Sequence, residues 1–372
     1  MLQTGEGTSR TDLDRTTDLK IRAVTRLAYD HNQFLHDLFK SAGLNPHSDI
    51  SGRADLLKAY KLGVRTSAPD VAKCYADYAP QLPLLEIWSS GSSGKPKKFL
   101  LSKDALDRWN RGFAKAWRLL RVSDGEKVLV FPAPPPYATS ITYSITPFLK
   151  GPKVRTLVFR LPFIPKGITE EEKERIAQSY IDMIYEYNPD HVSGAGFAVD
   201  AFTRMLVSYG LSMDKLKVKT VSFGGDPTPA EQRKSIGELW RAEPFDAYAS
   251  SEAGMIGCEC HSHSGMHANE PDLFITTVDP EAAEEAGRNE LGKDLCTTLY
   301  EDGELPATFI VNYSHKDSMA VLADRCSCGD ETKLISHPTR DVKKRPIAGF
   351  GFDLKEPRSF RTRLVKSIQR RF

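Results

Sequence analysis

One scheme recurs along the middle of this chain and restricts its fold more than any other feature. A short apolar run leads into a loop of glycine, serine or proline, and a stretch of helical periodicity follows. Leu84–Trp88 runs into SSGSSGKPKK, after which FLLS reads as a strand and Lys103–Leu120 as an amphipathic helix. EKVLVFPAPPP places a buried strand at Val128–Phe131 before a proline-rich loop, and VRTLVFRL is a further strand candidate. Glu170–Tyr187 has a helical pattern. HVSGAGFAVD and VKTVSFGGDPTPAEQR each read as strand, glycine turn and helix, with Pro229 near the first turn of the second helix. Phe245–Tyr248 is the last strand of the series, closed by ASSEAG. This alternation predicts an α/β domain with a largely parallel sheet. Such sheets bind ligands beyond the carboxyl ends of their strands, where these loops fall.

The flanks read differently. Residues 1–18 are polar and expected to be flexible, and a helix is expected from about Leu19 to Ser41. The α/β core is expected over 19–257. A smaller β-rich lobe is expected over 258–340, with strands in DLFITTVDP, GELPATFIVNY and SMAVL. Residues 341–372 are basic and read as the remnant of a hinge or C-terminal region. The chain has 372 residues, which suggests more than one packed lobe. Its net charge of +2 gives no global field that would demand nucleic acid as a partner. No apolar run approaches a membrane span, and the polar N-terminus lacks the apolar core of a secretory signal, so a cytoplasmic location is expected.

The loop Ser89–Lys98 carries the strongest chemical signal. Gly91 and Gly94 let backbone N–H groups turn toward one point, four serines add hydroxyls, and Lys95, Lys97 and Lys98 add charge. That combination suits a polyphosphate. A flexible linker has similar composition, but strand-like segments on both sides argue against one. The spacing is not that of a Walker loop: two residues rather than four separate glycine from Gly-Lys, and Pro96 follows Lys95.

SSGSSGKPKK resembles the phosphate-loop signature of adenylate-forming enzymes: acyl-CoA synthetases, luciferases and adenylation domains. Three further segments match in order. FGGDP (223–227) resembles the segment lining the adenine, DAYASSEAG (246–254) the aromatic-x-x-Thr/Ser-Glu motif, and FIVNYSHKD (309–317) the stretch ending in a ribose-binding aspartate. The closest likeness is to phenylacetate–CoA ligases and to the acyl-protein synthetases of bacterial luminescence. The resemblance implies the large N-terminal domain of such an enzyme, with parallel-rich sheets plus a smaller β-rich lobe and a C-terminal domain short or absent.

It also implies roles. Ser89, Ser90, Gly91, Ser92, Ser93, Gly94 and Lys95 would hold phosphates. Gly224, Gly225 and Asp226 would line the adenine, and Tyr248 would stack on it. Ser251 would touch the α-phosphate, Glu252 would bind Mg²⁺, and Asp317 and Arg340 would meet the ribose. Lys95, Ser251 and Glu252 are the expected catalytic set. An acyl pocket would use Tyr137, Ala138, Gly194, Ala195 and Phe197. Outside the resemblance, Glu252 also reads as a helix-start partner, Tyr248 as core and Asp317 as part of a turn.

The cysteines form a second constellation. GCECHSHSGMH holds Cys258, Cys260, His261, His263 and His267, and CSCG holds Cys326 and Cys328. Two Cys-x-Cys pairs with histidines can close a tetrahedral zinc site, though buried free thiols have the same sequence. The resemblance selects Cys260, His267, Cys326 and Cys328 as structural Zn²⁺ ligands, with Cys258 and His263 as alternates.

The expected function is ATP-dependent, Mg²⁺-assisted activation of an aryl or fatty acid as an acyl-adenylate. The expected acyl acceptors are CoA, a carrier thiol, a protein or an amine. Two alternatives stand beside it: an acyl-transfer component needing a partner chain, and a non-catalytic nucleotide-binding homologue. A homodimer is among the partnerships left open. In full-length relatives a lysine from a C-terminal domain completes the site. Here about thirty residues follow Arg340, and Lys343, Lys344, Lys355 and Lys366 sit in no recognisable motif.

Overall fold

The structure is a computed structural model that describes residues 9–89, 96–131, 151–159, 169–225 and 228–339. Its strands are β1 (Thr66–Ser67), β2 (Leu84–Trp88), β3 (Lys98–Ser102), β4 (Lys127–Phe131), β5 (Arg155–Val158), β6 (His191–Gly194), β7 (Thr220–Gly224) and β8 (Glu243–Ser250). They continue with β9 (Gly254–Glu259), β10 (Met266–Ala268), β11 (Leu273–Val278), β12 (Gly292–Thr298), β13 (Tyr313–Ser314), β14 (Ser318–Met319), β15 (Val321–Ala323) and β16 (Leu334–Ile335).

The expected parallel sheet is present. Strands β5-β4-β6-β7-β8 run parallel side by side. Every residue of β6 and β7 is buried, as a sheet covered on both faces requires. Helices Glu170–Tyr187, Gly196–Ser208 and Ala230–Trp240 follow their strands. Phe131, Phe202 and Phe223 form the core between helices and sheet, with Phe131 and Phe202 stacked at 5.0 Å. Each ring removed from water contributes about 1.5–3 kcal/mol.

The sheet does not stop at the expected boundary at residue 258. Strands β9, β10, β16 and β15 continue it antiparallel, so segments 254–268 and 321–335 belong to the α/β sheet. The second sheet is β1-β13-β12-β11, with β14 on β12. It takes its edge strand β1 from the N-terminal region, and the Asn312 amide donates to the carbonyls of Leu56 and Val64. The first and last parts of the described chain therefore fold as one unit.

Three local expectations change. The first helix begins at Arg10 rather than Leu19. Ser9 caps it, Leu13 and Thr17 are buried, and Arg10 pairs with Glu270 at 2.6 Å, so this segment is fixed. The helix also breaks at Asn32, whose side-chain Oδ1 accepts from Leu35 N at 2.8 Å and whose side-chain Nδ2 donates to the carbonyls of Lys73 and Tyr75. GELPATFIVNY contributes only Tyr313 to a strand, although Phe309, Ile310 and Val311 are buried. Among the described residues no helix is long and apolar enough to cross a membrane.

Candidate active site

Strands β2 and β3, which flank the serine–glycine segment in sequence, pair as an antiparallel hairpin. The base of that segment is closed by Ser89 N donating to the Lys97 carbonyl at 2.9 Å and by Lys97 N donating to Ser89 Oγ at 3.0 Å. Of the expected phosphate residues, Ser90, Gly91, Ser92, Ser93, Gly94 and Lys95 lie outside the described residues, as do Asp226, Arg340, Tyr137 and Ala138. Lys97, part of the same loop but not among the assigned residues, reaches 3.8 Å from Glu252 Oε1.

Glu252 lies just beyond β8, in the turn to β9. The end of β8 and the segment 313–317 face each other in opposite directions, and alternate side chains meet. Tyr248 Oη donates to Asp317 Oδ2 at 2.7 Å, Ser250 Oγ lies 2.8 Å from His315 Nε2, and Tyr313 Oη donates to Glu252 Oε1 at 2.8 Å. Residues 248, 250 and 252 thus meet 317, 315 and 313, although a register shift at Tyr248/Ala249 and Lys316 at φ 68° interrupt the extended chain. This ladder unites the two sheets and brings the expected Tyr248, Glu252 and Asp317 together. Ser251 lies between Ser250 and Glu252 and is half-buried.

One buried carboxylate organises the ladder. Asp294, on β12, is fully buried and accepts from Ser314 Oγ at 3.3 Å and from the backbone N–H groups of His315 and Asp317, each at 3.0 Å. It also meets His315 Nδ1. Burial pulls the His315 imidazole down, but the adjacent Asp294 carboxylate outweighs this and holds it above its ordinary value. Burial, reinforced by Glu252, pushes the Tyr313 phenol far up, so it remains a donor. The sequence reading assigned no role to Ser250, Asp294, Tyr313 or His315. The available signal was a lone aspartate in GKDLCTT, an otherwise strand-like segment.

The carboxyl ends of β4, β6 and β7 meet closely nearby. A side chain at Gly194 would come 2.2 Å from the Phe131 carbonyl, and one at Gly196 would come 1.8 Å from Thr228 Oγ1. Gly225 adopts φ 86°, which favours glycine. Gly194 thus accommodates neighbouring backbone rather than leaving open space, and Ala195 is 1% exposed. Phe197 is partly buried against the same core. Gly224 pairs with Ala247 in the sheet, beside Tyr248.

The metal candidates converge at the far side of the large sheet. Cys260 follows β9, His267 lies on β10, and Cys326 and Cys328 sit on the turn before β16. Their ligand atoms all lie within 4.8 Å of one another. Cys260 Sγ is 3.8 Å from Cys326 Sγ, and His267 Nε2 is 3.3 Å from Cys260 Sγ and 3.4 Å from Cys328 Sγ. A tetrahedral zinc site with ordinary bond lengths has S–S edges of about 3.8 Å and S–N edges of about 3.5 Å, so this donor set fits. His267 Nδ1 faces Asp330 Oδ1 at 3.3 Å, the carboxylate that orients a ligating imidazole. The alternates stand apart: Cys258 is buried in the apolar core, and His263 pairs with Glu243 at 2.9 Å.

No family model matches the chain. The phenylacetate–coenzyme A ligase of Pseudomonas putida is 23% identical over 313 residues, covering 82% of this chain and 65% of that protein. This chain thus spans slightly less than two thirds of that relative's length. Among solved structures, 2-hydroxyisobutyryl-CoA ligase in complex with 2-HIB-AMP and CoA in its thioesterification state has a TM-score of 0.71. Its identity is 17%, covering 89% of this chain and 69% of the other. An open conformation of the same ligase gives a TM-score of 0.70 at 15% identity, with 89% and 70% covered. The chain shares the fold of 2-hydroxyisobutyryl-CoA ligase, and its ordered motifs resemble those of adenylate-forming enzymes.

Proposed function

We propose that the chain uses ATP to activate a carboxylic acid as an acyl-adenylate. The observation that carries this reading is the ladder joining Tyr248 to Asp317 and Glu252 to Tyr313, with Lys97 of the phosphate loop against Glu252. An aromatic face, a buried carboxylate for ribose hydroxyls and a carboxylate beside a cationic loop are the groups that a nucleoside triphosphate needs. The names of the similar proteins, a phenylacetate–CoA ligase and a 2-hydroxyisobutyryl-CoA ligase bound to an adenylate, support the same chemistry.

In the reaction, a carboxylate oxygen attacks the α-phosphorus and pyrophosphate leaves. Charge builds on phosphate oxygens, so positioning and cationic stabilisation dominate. Ser89 and the adjoining loop bind the phosphates, Ser251 faces the α-phosphate, and Asp317 orients the ribose. Glu252 would hold Mg²⁺, which supplies charge neutralisation when bound. The acid is of the aryl or fatty class. The acceptor is CoA, a carrier thiol, a protein or an amine. ATP–pyrophosphate exchange across a panel of such acids tests this reading. Acid-dependent exchange is expected, and Glu252→Ala should abolish it. No exchange with any acid, together with no ATP binding, would overturn activation.

Cys260, His267, Cys326 and Cys328 hold a structural Zn²⁺ in this reading, with Asp330 orienting His267. Metal analysis of the purified protein should find about one zinc per chain. A folded preparation essentially free of zinc would remove the assignment.

A further inference from the structure

Ser250, His315 and Asp294 form a constellation that activation of an acid does not use. His315 Nδ1 meets Asp294, which is fully buried and anchored by the N–H groups of His315 and Asp317. With that carboxylate accepting a hydrogen bond from Nδ1–H, Nε2 is the accepting nitrogen, and it lies 2.8 Å from Ser250 Oγ. Ala253 N donates to the same Oγ at 3.0 Å and fixes its position. The Tyr313 ring stands edge-on to His315 at 4.9 Å and holds the imidazole plane. A hydroxyl within hydrogen-bond reach of a base that a buried carboxylate orients is the arrangement of an activated nucleophile. Ser250 is half-buried rather than sealed, and Ser251 is its chain neighbour.

We propose that Ser250 is a nucleophile, with His315 as its base and Asp294 as the positioning residue, that takes the acyl group from an acyl-adenylate as a covalent ester. The acyl donor rests on the function proposed above, whereas the serine–histidine–aspartate geometry stands on its own. Ser250 Oγ bonds to the acyl carbon, the bond from that carbon to the phosphate oxygen breaks, and AMP leaves. The hydroxyl proton passes to His315 Nε2. His315 releases that proton to solvent as AMP departs. A thiol, amine or water then attacks the ester, His315 Nε2 takes the proton of the attacking group, and His315 passes it to Ser250 Oγ as the acyl–Oγ bond breaks. This route needs no side chain from a further domain to pass the acyl group on.

A biotinylated alkyl fluorophosphonate tests the nucleophile without knowledge of the acid. The full chain is treated with the probe, digested, and read by mass spectrometry for phosphonylation of the peptide carrying residue 250. Labelling at Ser250 is expected, with protection by saturating AMP. His315→Gln should slow it at least about 100-fold, the lower end of what a general base contributes. Folded parent protein with Ser250 unlabelled overturns the proposal, a result that depends on no variant's folding. Labelling of a correctly folded His315→Gln protein at the parental rate removes the base. Pyrophosphate exchange, run in parallel, judges activation separately. Exchange with Ser250 unlabelled leaves activation standing and removes the acyl-enzyme. Label without exchange supports the nucleophile and removes its proposed acyl donor.

Discussion

Asp294→Asn changes a single atom type where the two sheets meet. The native carboxylate is fully buried, and its oxygens take four donors: Ser314 Oγ, His315 N, His315 Nδ1 and Asp317 N. Asparagine keeps one accepting oxygen and turns the other into an NH₂ facing N–H groups. If the amide nitrogen replaces Oδ2, it faces His315 N and Nδ1. If it replaces Oδ1, it faces Asp317 N and the Ser314 hydroxyl, which can rotate. Either placement leaves at least one buried backbone N–H unpaired, which costs about 1–3 kcal/mol. Loss of the charged partner of a buried imidazole raises the total to about 3–5 kcal/mol. The histidine is the main coupled group, so Asp294→Asn and His315→Gln should be strongly non-additive. In a double-mutant cycle by urea denaturation, a coupling of about 1–3 kcal/mol is expected. AMP binding should weaken in parallel, because Asp317 N hangs from the same carboxylate. A cost below about 1 kcal/mol for Asp294→Asn, or additivity within about 0.5 kcal/mol, would show that Asp294 does not organise the 313–317 segment.

His337 lies between Asp246 Oδ2 and Glu259 Oε1, each at 3.0 Å, and these bonds raise its pKa from 6.5 to about 9. A raised folded-state value means that the stabilisation is complete below about 6.5 and is lost as pH rises through about 9. The side chain is 37% exposed, so a shift worth roughly 3 kcal/mol unscreened should amount to about 1 kcal/mol. A urea-midpoint profile should fall over that window and flatten in His337→Gln; parallel profiles would refute the pairing. Gly196→Ala should destabilise by about 1–3 kcal/mol because the new methyl meets Thr228 Oγ1 at 1.8 Å, and Thr228→Ala should restore part of it. A neutral Gly196→Ala would show that this junction yields easily. Asp330→Asn should weaken zinc retention against a chelator by about 10–100-fold, and an unchanged release profile would remove its orienting role.

The parts of this fold legible in the sequence are those set by short-range pattern. The short runs HVSG and TVSFG and the glycine turns after them read as parallel strands from the recurring order of strand, glycine turn and helix, whereas the burial of their polar members His191, Ser193, Thr220 and Ser222 was not legible in that pattern. The break at Asn32 was not legible: its side chain bonds to Lys73 and Tyr75, which only the folded chain brings near. Phe309–Val311 misled for the opposite reason. They lie in a core shared by the N-terminal helices and strands β2, β3 and β11, and Phe309 N donates to the Cys74 carbonyl outside any strand; hydrophobicity alone does not distinguish such a buried segment from a strand. The site divides in the same way. Tyr248, Glu252 and Asp317 stand in stretches whose order was recognisable, whereas Asp294 and His315 are separated by a loop and meet only through the register of β12 and β13. Their pairing could be read only after β12 had placed Asp294 beneath the 313–317 segment. The same register fixes the imidazole that faces Ser250, so the alignment of two strands decides whether this hydroxyl is a plain polar contact or an activated one.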